Sequence, residues 1–276
     1  MSALTKQSGY AAINGAQIYY ETAGEGTGLV MLHAGVADVR QWNNEFAYFA
    51  DRYRVLRYDR RAFGNTEPVD GEFNDMADLT ALLDHLGFDQ PLILMGCSMG
   101  GMLAMDFTLT YPSRVKALIM VASAPNGLDL DVEIEPIFTK LEEAYKAGDL
   151  DLVADLETQI WFDGFGRTPD QVDPVMRQLA HDMNRKALDH QAKKLGKRLP
   201  NIDSQAAERL SELALPVLVV AGVHDELYTR VAADYMGEHI PGAQKVVVQD
   251  AAHLVNMNQP DEFRRIVETF LDGLGS

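Results

Sequence analysis

The sequence predicts an α/β chain: a mostly parallel, eight-stranded sheet covered by helices on both faces and interrupted by one helical insertion. Three observations carry that prediction. Short apolar runs rich in β-branched residues recur without polar alternation at Leu29–His33, Arg54–Tyr58, Pro91–Gly96, Val115–Ala122, Pro216–Gly222 and Lys245–Gln249, the pattern of strands buried on both faces. Segments of helical length and period separate these runs, which implies parallel strands joined by helical crossovers. The alternation lapses between about residues 125 and 205, a stretch with no convincing strand.

In chain order, the first two strands, Tyr10–Ile13 and Gln17–Glu21, flank Asn14-Gly15, a dipeptide suited to the positive φ angles of a tight hairpin. Asp78, Leu79, Leu82, Leu83 and Leu86 precede Gly87 at helical spacing, so a helix should stop there. Met102, Met105, Phe107 and Leu109 mark the helix after Pro91–Gly96, and Phe263, Ile266, Val267, Phe270 and Leu271 mark an amphipathic helix near the end. The expected division is a core of residues 1–125 and 206–276 with a helical cap subdomain over 126–205. Residues 129–157 carry ten acids against Lys140 and Lys146, and residues 185–198 carry six bases against Asp189. These blocks either pair with each other or form two solvated faces.

At 276 residues, 47% hydrophobic and 24% charged, the chain can build one large domain with an inserted subdomain and a sizeable core. Its formal charge of −17 repels phosphate backbones and anionic lipid, so neither nucleic acid nor a membrane surface is an expected partner. The longest apolar runs are strand-sized, so no membrane span is expected. The single cysteine, Cys97, cannot form an internal disulfide, and the first nine residues lack the apolar stretch of a secretion signal. A reducing, cytoplasmic location is expected.

Gly96-Cys97-Ser98-Met99-Gly100 is G-x-S-x-G between an apolar strand and a helical segment, the context of a nucleophile elbow. The sharp turn holds Ser98 above the carboxyl ends of the strands, and glycines avoid collisions with the neighbouring strand and helix. Cys97 would need glycines at Met95 and Met99 to occupy the elbow centre, so it reads as a buried small apolar residue. A serine hydroxyl needs a base and an orienting carboxylate. Of the seven histidines, only His253 falls between the last strand and the last helix, on the same sheet edge as Ser98. Asp225 follows the strand Pro216–Ala221 at that edge, and the order Ser98, Asp225, His253 suits this architecture. Asp250, three residues before the base, would have to fold back to serve instead. The amides of Met99 and Gly35 are the expected oxyanion donors. His33, placed at the substrate pocket, is expected to brace the Gly35 loop by hydrogen bonding rather than to carry protons.

These segments resemble the compact, cap-bearing members of the α/β-hydrolase superfamily: esterases, lactonases, cofactor-free haloperoxidases and carbon–carbon bond hydrolases. The family's D-x-R-G-x-G-x-S stretch is matched by Asp59-Arg60-Arg61-Ala62-Phe63-Gly64-Asn65-Thr66, and its histidine segment by His253 with Gln259-Pro260-Asp261-Glu262-Phe263. Ala34 and Ala62 stand where family members usually carry glycine, and Thr66 replaces serine. The resemblance implies an acyl-enzyme hydrolase of small to medium esters, with lactone or carbon–carbon substrates as the alternative. Relatives with intact triads also serve as slow-turnover ligand receptors. Relatives of this fold that attack with aspartate are excluded by Ser98. No metal or cofactor is expected: no His/Cys cluster has ligand spacing, and Gly24-x-Gly26-x-Gly28 precedes a strand instead of following one. Within Trp161-Phe162-Asp163-Gly164-Phe165, Trp161 is expected to roof the substrate pocket above Ser98; the competing role is packing cap against core. Of the methionines around the elbow, Met99 is the one expected at the pocket wall.

Overall fold

The computed structural model describes residues 6–202 and 205–275; the N-terminal stretch read for a secretion signal begins outside them. Among the described residues ten strands run in chain order: β1 (Gln7–Ile13), β2 (Ala16–Ala23), β3 (Gly28–Leu32), β4 (Arg54–Tyr58), β5 (Glu72–Phe73), β6 (Leu92–Cys97), β7 (Val115–Val121), β8 (Lys197–Arg198), β9 (Val217–Gly222) and β10 (Gln244–Val248). Eight of them form one sheet in the order β1-β2-β4-β3-β6-β7-β9-β10. All neighbours from β4 to β10 are parallel, whereas β1 and β2 join antiparallel at one edge. The hairpin turns at Asn14 (φ 46°) and Gly15 (φ 83°), the left-handed pair that the Asn-Gly dipeptide favours.

The helices are α1 (Asn43–Phe49), α2 (Asp75–His85), α3 (Met99–Thr110), α4 (Ile137–Ala147), α5 (Leu150–Thr158), α6 (Pro174–Ala192), α7 (Leu227–His239), α8 (Val255–Asn258) and α9 (Pro260–Asp272). Strand alternation sorts the core into two layers. Ile93, Met95 and Cys97 of β6 join a cluster with Phe46 and Phe49 of α1 and Phe263, Val267 and Phe270 of α9. Leu92 and Leu94 point the other way, into a cluster with Leu79 and Leu82 of α2, Leu103 and Phe107 of α3 and Met236 of α7. Both faces are dry, which is why these strands read as unbroken apolar runs. Among the described residues no helix is long and apolar enough to cross a membrane.

Between β7 and β9 the chain makes a helical excursion through α4, α5 and α6. It also contains β8, which pairs parallel with β5 as a separate two-stranded ribbon that the sequence did not announce. Two residues are too few to show a period. The charge blocks pair with each other only in part. Arg185 of α6 bonds Asp151 of α5 at 2.8 Å, but Lys186 reaches Asn65, Lys193 reaches Glu67, Lys197 reaches Glu72 and Arg198 reaches Asp75. Most of the basic block therefore holds the excursion to the core.

Candidate active site

Leu32, Cys97, Gly222 and Val248 end four parallel strands, so the loops after them gather at one sheet edge, where ligands of open α/β sheets bind. Ser98 directly follows β6 with φ 52° and ψ −118°, a conformation strained for any residue but glycine. The turn closes because its flanks carry no side chains. A Cβ on Gly96 would lie 2.3 Å from the Gly100 carbonyl oxygen, and one on Gly100 would lie 2.2 Å from that of Leu32. Hydrogen bonds then fix the strained residue from both sides: Ser98 N–H donates to the Val121 carbonyl at 2.9 Å, and Ser123 Oγ donates to the Ser98 carbonyl at 2.8 Å.

His253, in the loop after β10, is almost fully buried, and its Nδ1 lies 3.0 Å from both carboxylate oxygens of Asp225. That contact puts the proton on Nδ1 and leaves Nε2 as the free acceptor. Burial disfavours the imidazolium, but the Asp225 carboxylate, its hydrogen bond and the nearby Glu226 outweigh it and raise the His253 pKa above its ordinary value. Asp225 also accepts the Glu226 N–H at 2.8 Å. Asp250 is exposed and holds Arg167 and Gln259 through its backbone carbonyl, so it is not the partner of His253.

Cys97 is buried, and its thiol is pushed up to about 12 by burial. It faces the His253 carbonyl at 3.6 Å and packs the elbow against the histidine loop.

On the other side of the elbow, the chain after β3 carries Gly35 against the Met99 side chain: a Cβ at Gly35 would lie 2.5 Å from Met99 Sδ. The preceding peptide is held from several directions. Ala34 N–H donates to Gln41 Oε1 at 2.9 Å, and the Ala34 carbonyl accepts from His33 Nδ1 at 2.7 Å and Arg60 Nη2 at 3.3 Å. In a trans peptide C=O and N–H point in opposite directions. The Gly35 N–H is thereby turned away from His33 and Arg60. Met99 opens α3, so its N–H is among those with no intrahelical partner.

His33, expected to brace the Gly35 loop at the substrate pocket, has both ring nitrogens bonded to backbone. Its ring is fully buried, and Nε2 accepts the Arg60 backbone N–H at 3.1 Å while Nδ1 donates to the Ala34 carbonyl. Burial and the Arg60 guanidinium hold its pKa well below the ordinary value, so it stays neutral. Bracing the loop takes up both ring nitrogens.

Trp161 lies in a π-helical turn, Gln159–Asp163, with its ring 4.6 Å from that of His253. Its carbonyl accepts the Leu254 N–H at 3.2 Å. The neighbouring aromatics divide the work, Phe162 entering the core cluster and Phe165 stacking near Phe138. Phe138 and Glu226 line a cavity of about 460 Å³ together with Leu130, Val132, Glu133, Ile134, Glu135 and Tyr228.

Sequence reasoning missed Gln41, Arg60 and Asn256. Asn256 Nδ2 donates to the Gln41 carbonyl at 2.8 Å and to Glu45 at 3.0 Å, while Gln41 Nε2 donates to Asn256 Oδ1 at 3.3 Å. The loop of Gly35 and the loop of His253 are thus tied together below the site. Nothing in the sequence pairs positions 41 and 256; Arg60 was visible only as the variable residue of the Asp59–Thr66 motif.

Residues 28–260 match the family model described as alpha/beta hydrolase fold. The chain belongs to the α/β-hydrolase family. This hydrolase is 30% identical to a pimeloyl-[acyl-carrier protein] methyl ester esterase of Aeromonas hydrophila, over 91% of this chain and 98% of that one. It is 26% identical to 3-oxoadipate enol-lactonase 2 of Acinetobacter baylyi, over 85% and 84% respectively. Among solved structures, a thermophilic esterase from Thermogutta terrifontis superposes with a TM-score of 0.77 at 22% identity, over 100% of each chain. Two departures from the family's motif have a structural reading. Thr66 does what a serine hydroxyl would, donating to the Asp59 carbonyl at 2.7 Å and accepting the Tyr19 N–H at 2.9 Å. Ala62 sits at φ 64°, where glycine would be unstrained.

Proposed function

We propose that this α/β-hydrolase is a serine hydrolase of small to medium carboxylic esters working through an acyl-enzyme. The observations that carry the reading are a strained, elbow-borne Ser98 at the end of β6 and a His253 in the loop after β10 whose Nδ1 is committed to Asp225. In the proposed reaction Ser98 Oγ bonds the ester carbonyl carbon while its proton passes to His253 Nε2. The Gly35 and Met99 amides hold the resulting oxyanion, and Asp225 stabilises the imidazolium. Collapse breaks the carbon–oxygen bond to the alcohol, which takes the proton from His253. Water then repeats the sequence in reverse, freeing the acid and Ser98.

The esterase and lactonase relatives support this chemistry, and one set of residues could open a lactone equally well. The charge of the cavity lined by Phe138 and Glu226 supports the ester reading. Glu133, Glu135 and Glu226, the last next to Asp225 in the chain, line that cavity, and their charge would disfavour a carboxylate-bearing lactone and leave neutral esters favoured. The excursion, residues 126–205, is proposed to act as the cap that shapes this cavity, with the Trp161 ring 4.6 Å from that of His253. A small-molecule substrate and a reducing cytoplasmic setting complete the proposal, the lone cysteine being buried.

Kinetics on a panel of aryl esters graded by acyl length, with neutral and carboxylate-bearing lactones beside them, tests the reading. Ser98→Ala should lower kcat by at least ~10³-fold with the fold intact. Retention of a tenth of wild-type turnover by a folded variant would overturn it.

A further inference from the structure

Arg60 is a buried charge that the fold leaves poorly paired. Its side chain is 2% exposed, the Asp75 carboxylate stands 3.5 Å from Nη1, and Nε has no hydrogen-bond partner among the described residues. An ion pair this loose does not compensate the desolvation of a guanidinium. Asp75 is moreover shared with Arg198 of β8, which it meets at 3.1 Å. What Arg60 does reach is backbone: Nη2 donates to the carbonyls of His33 at 3.1 Å and Ala34 at 3.3 Å, and its own N–H fixes the tautomer of His33 at 3.1 Å.

We propose that Arg60 is a positioning residue for the oxyanion site, fixing and polarising the Ala34–Gly35 peptide from behind. The inference rests on the esterase reading of Ser98. A cation on the carbonyl oxygen of a peptide draws density from its nitrogen and makes the N–H a stronger donor. The guanidinium also restricts the peptide to the one rotation in which that N–H faces away from the core. Both effects matter only while negative charge builds on the substrate oxygen, so they belong to the transition state and not to substrate binding. Two further contacts agree with this placement. The guanidinium stacks on Phe63 at 4.9 Å, and the same ring meets His33 edge-on at 5.0 Å. The charge is also felt at Cys97, next to Ser98. Through Asp75 and Arg198 the excursion has a mechanical link to the oxyanion loop.

Arg60→Met and Arg60→Lys test the proposal with three readouts on the full chain: kcat and KM on phenyl acetate, affinity for an arylboronic acid, which becomes a tetrahedral anion on serine, and melting temperature. Arg60→Met should lose about 30-fold in kcat with KM within about threefold, and boronate affinity should fall by a matching factor. Arg60→Lys, which keeps the charge and loses the fork, should recover part of both. Boronate affinity within twofold of wild type would overturn the proposal, even with a lowered melting temperature, because a merely structural arginine would leave anion stabilisation unchanged. If Arg60→Met does not accumulate, Arg60→Lys carries the test: at least fivefold losses in kcat and boronate affinity support it, and twofold or smaller losses overturn it. A wild-type chain that neither hydrolyses esters nor binds the boronate overturns the esterase reading as well; an active wild type with unchanged variants overturns this inference alone.

Discussion

The loops at the sheet edge and the excursion above them are built by opposite means. Around Gly35 and His253 the polar groups are buried and mostly paired: His33, Gln41, Asn256 and Asp225 each have hydrogen-bond partners of fixed identity. In the excursion the charged groups are largely exposed, as in Arg185 with Asp151 and Lys193 with Glu67, and such pairs contribute little each. Buried networks hold geometry to a fraction of an ångström, whereas solvated pairs tolerate exchange. The difference teaches where to look for chemistry and where for preference: changes below the edge should move rates on all substrates, and changes in the excursion should move the ranking of substrates.

The largest effect that sharpens this contrast is the acid limb of activity. His253 must be neutral to accept the Ser98 proton, and its raised pKa means that the proton is held to higher pH than in a free histidine. The limb midpoint should therefore lie above 6.5, and kcat/KM at pH 5 should be at least ~30-fold below its plateau. Removing the Asp225 charge leaves burial, which lowers the pKa, so Asp225→Asn should move the limb to lower pH while reducing the plateau. A pH–rate profile of a protein that is still folded checks both; an unchanged limb in Asp225→Asn would detach His253 from Asp225.

On the excursion side, Trp161→Ala should cost short-chain aryl esters about tenfold more kcat/KM than long-chain ones, about 1.4 kcal/mol of discrimination. Removing the ring beside His253 leaves a small acyl group less confined. Equal losses across the ester series with a lowered melting temperature would return Trp161 to packing alone and blur the division between the two regions.

How much of this was legible in the sequence follows the same division. Ser98, Asp225 and His253 could be proposed together because they lie after β6, β9 and β10, and strand ends place residues at a common edge whatever the loops do. Six strands of the main sheet were legible from their apolar runs, and β1 and β2 from the Asn14-Gly15 turn, with β1 beginning at Gln7 rather than Tyr10. The ribbon of β5 and β8 was not, since its pairing lies between segments far apart in sequence and too short to show a period. The bracing role of His33 could be expected from its place after β3, but its two partners, the Arg60 amide and the Ala34 carbonyl, are visible only in the folded chain. Gln41, Asn256 and Arg60 carry no local signal at all. Their roles exist only in the long-range contacts of the folded chain.

The smallest predicted effect concerns the motif that joins the regions. Ala62, at φ 64°, lines a pocket together with His190 and Gln191 of α6. Ala62→Gly should relieve left-handed strain and stabilise by about 0.5–1 kcal/mol, partly offset by the freedom of glycine in the unfolded chain. Chemical denaturation checks it, with no change expected in kcat.

The central claim is that Ser98 becomes acylated. Intact-mass and peptide-mass analysis of the enzyme quenched during turnover of a slowly deacylating aryl ester tests it most directly. The predicted result is one acyl adduct, mapped to the Gly96–Gly101 stretch at Ser98, present in wild type and absent from Ser98→Ala. An adduct on Cys97, or turnover of the same ester with Ser98 unmodified, would contradict the account.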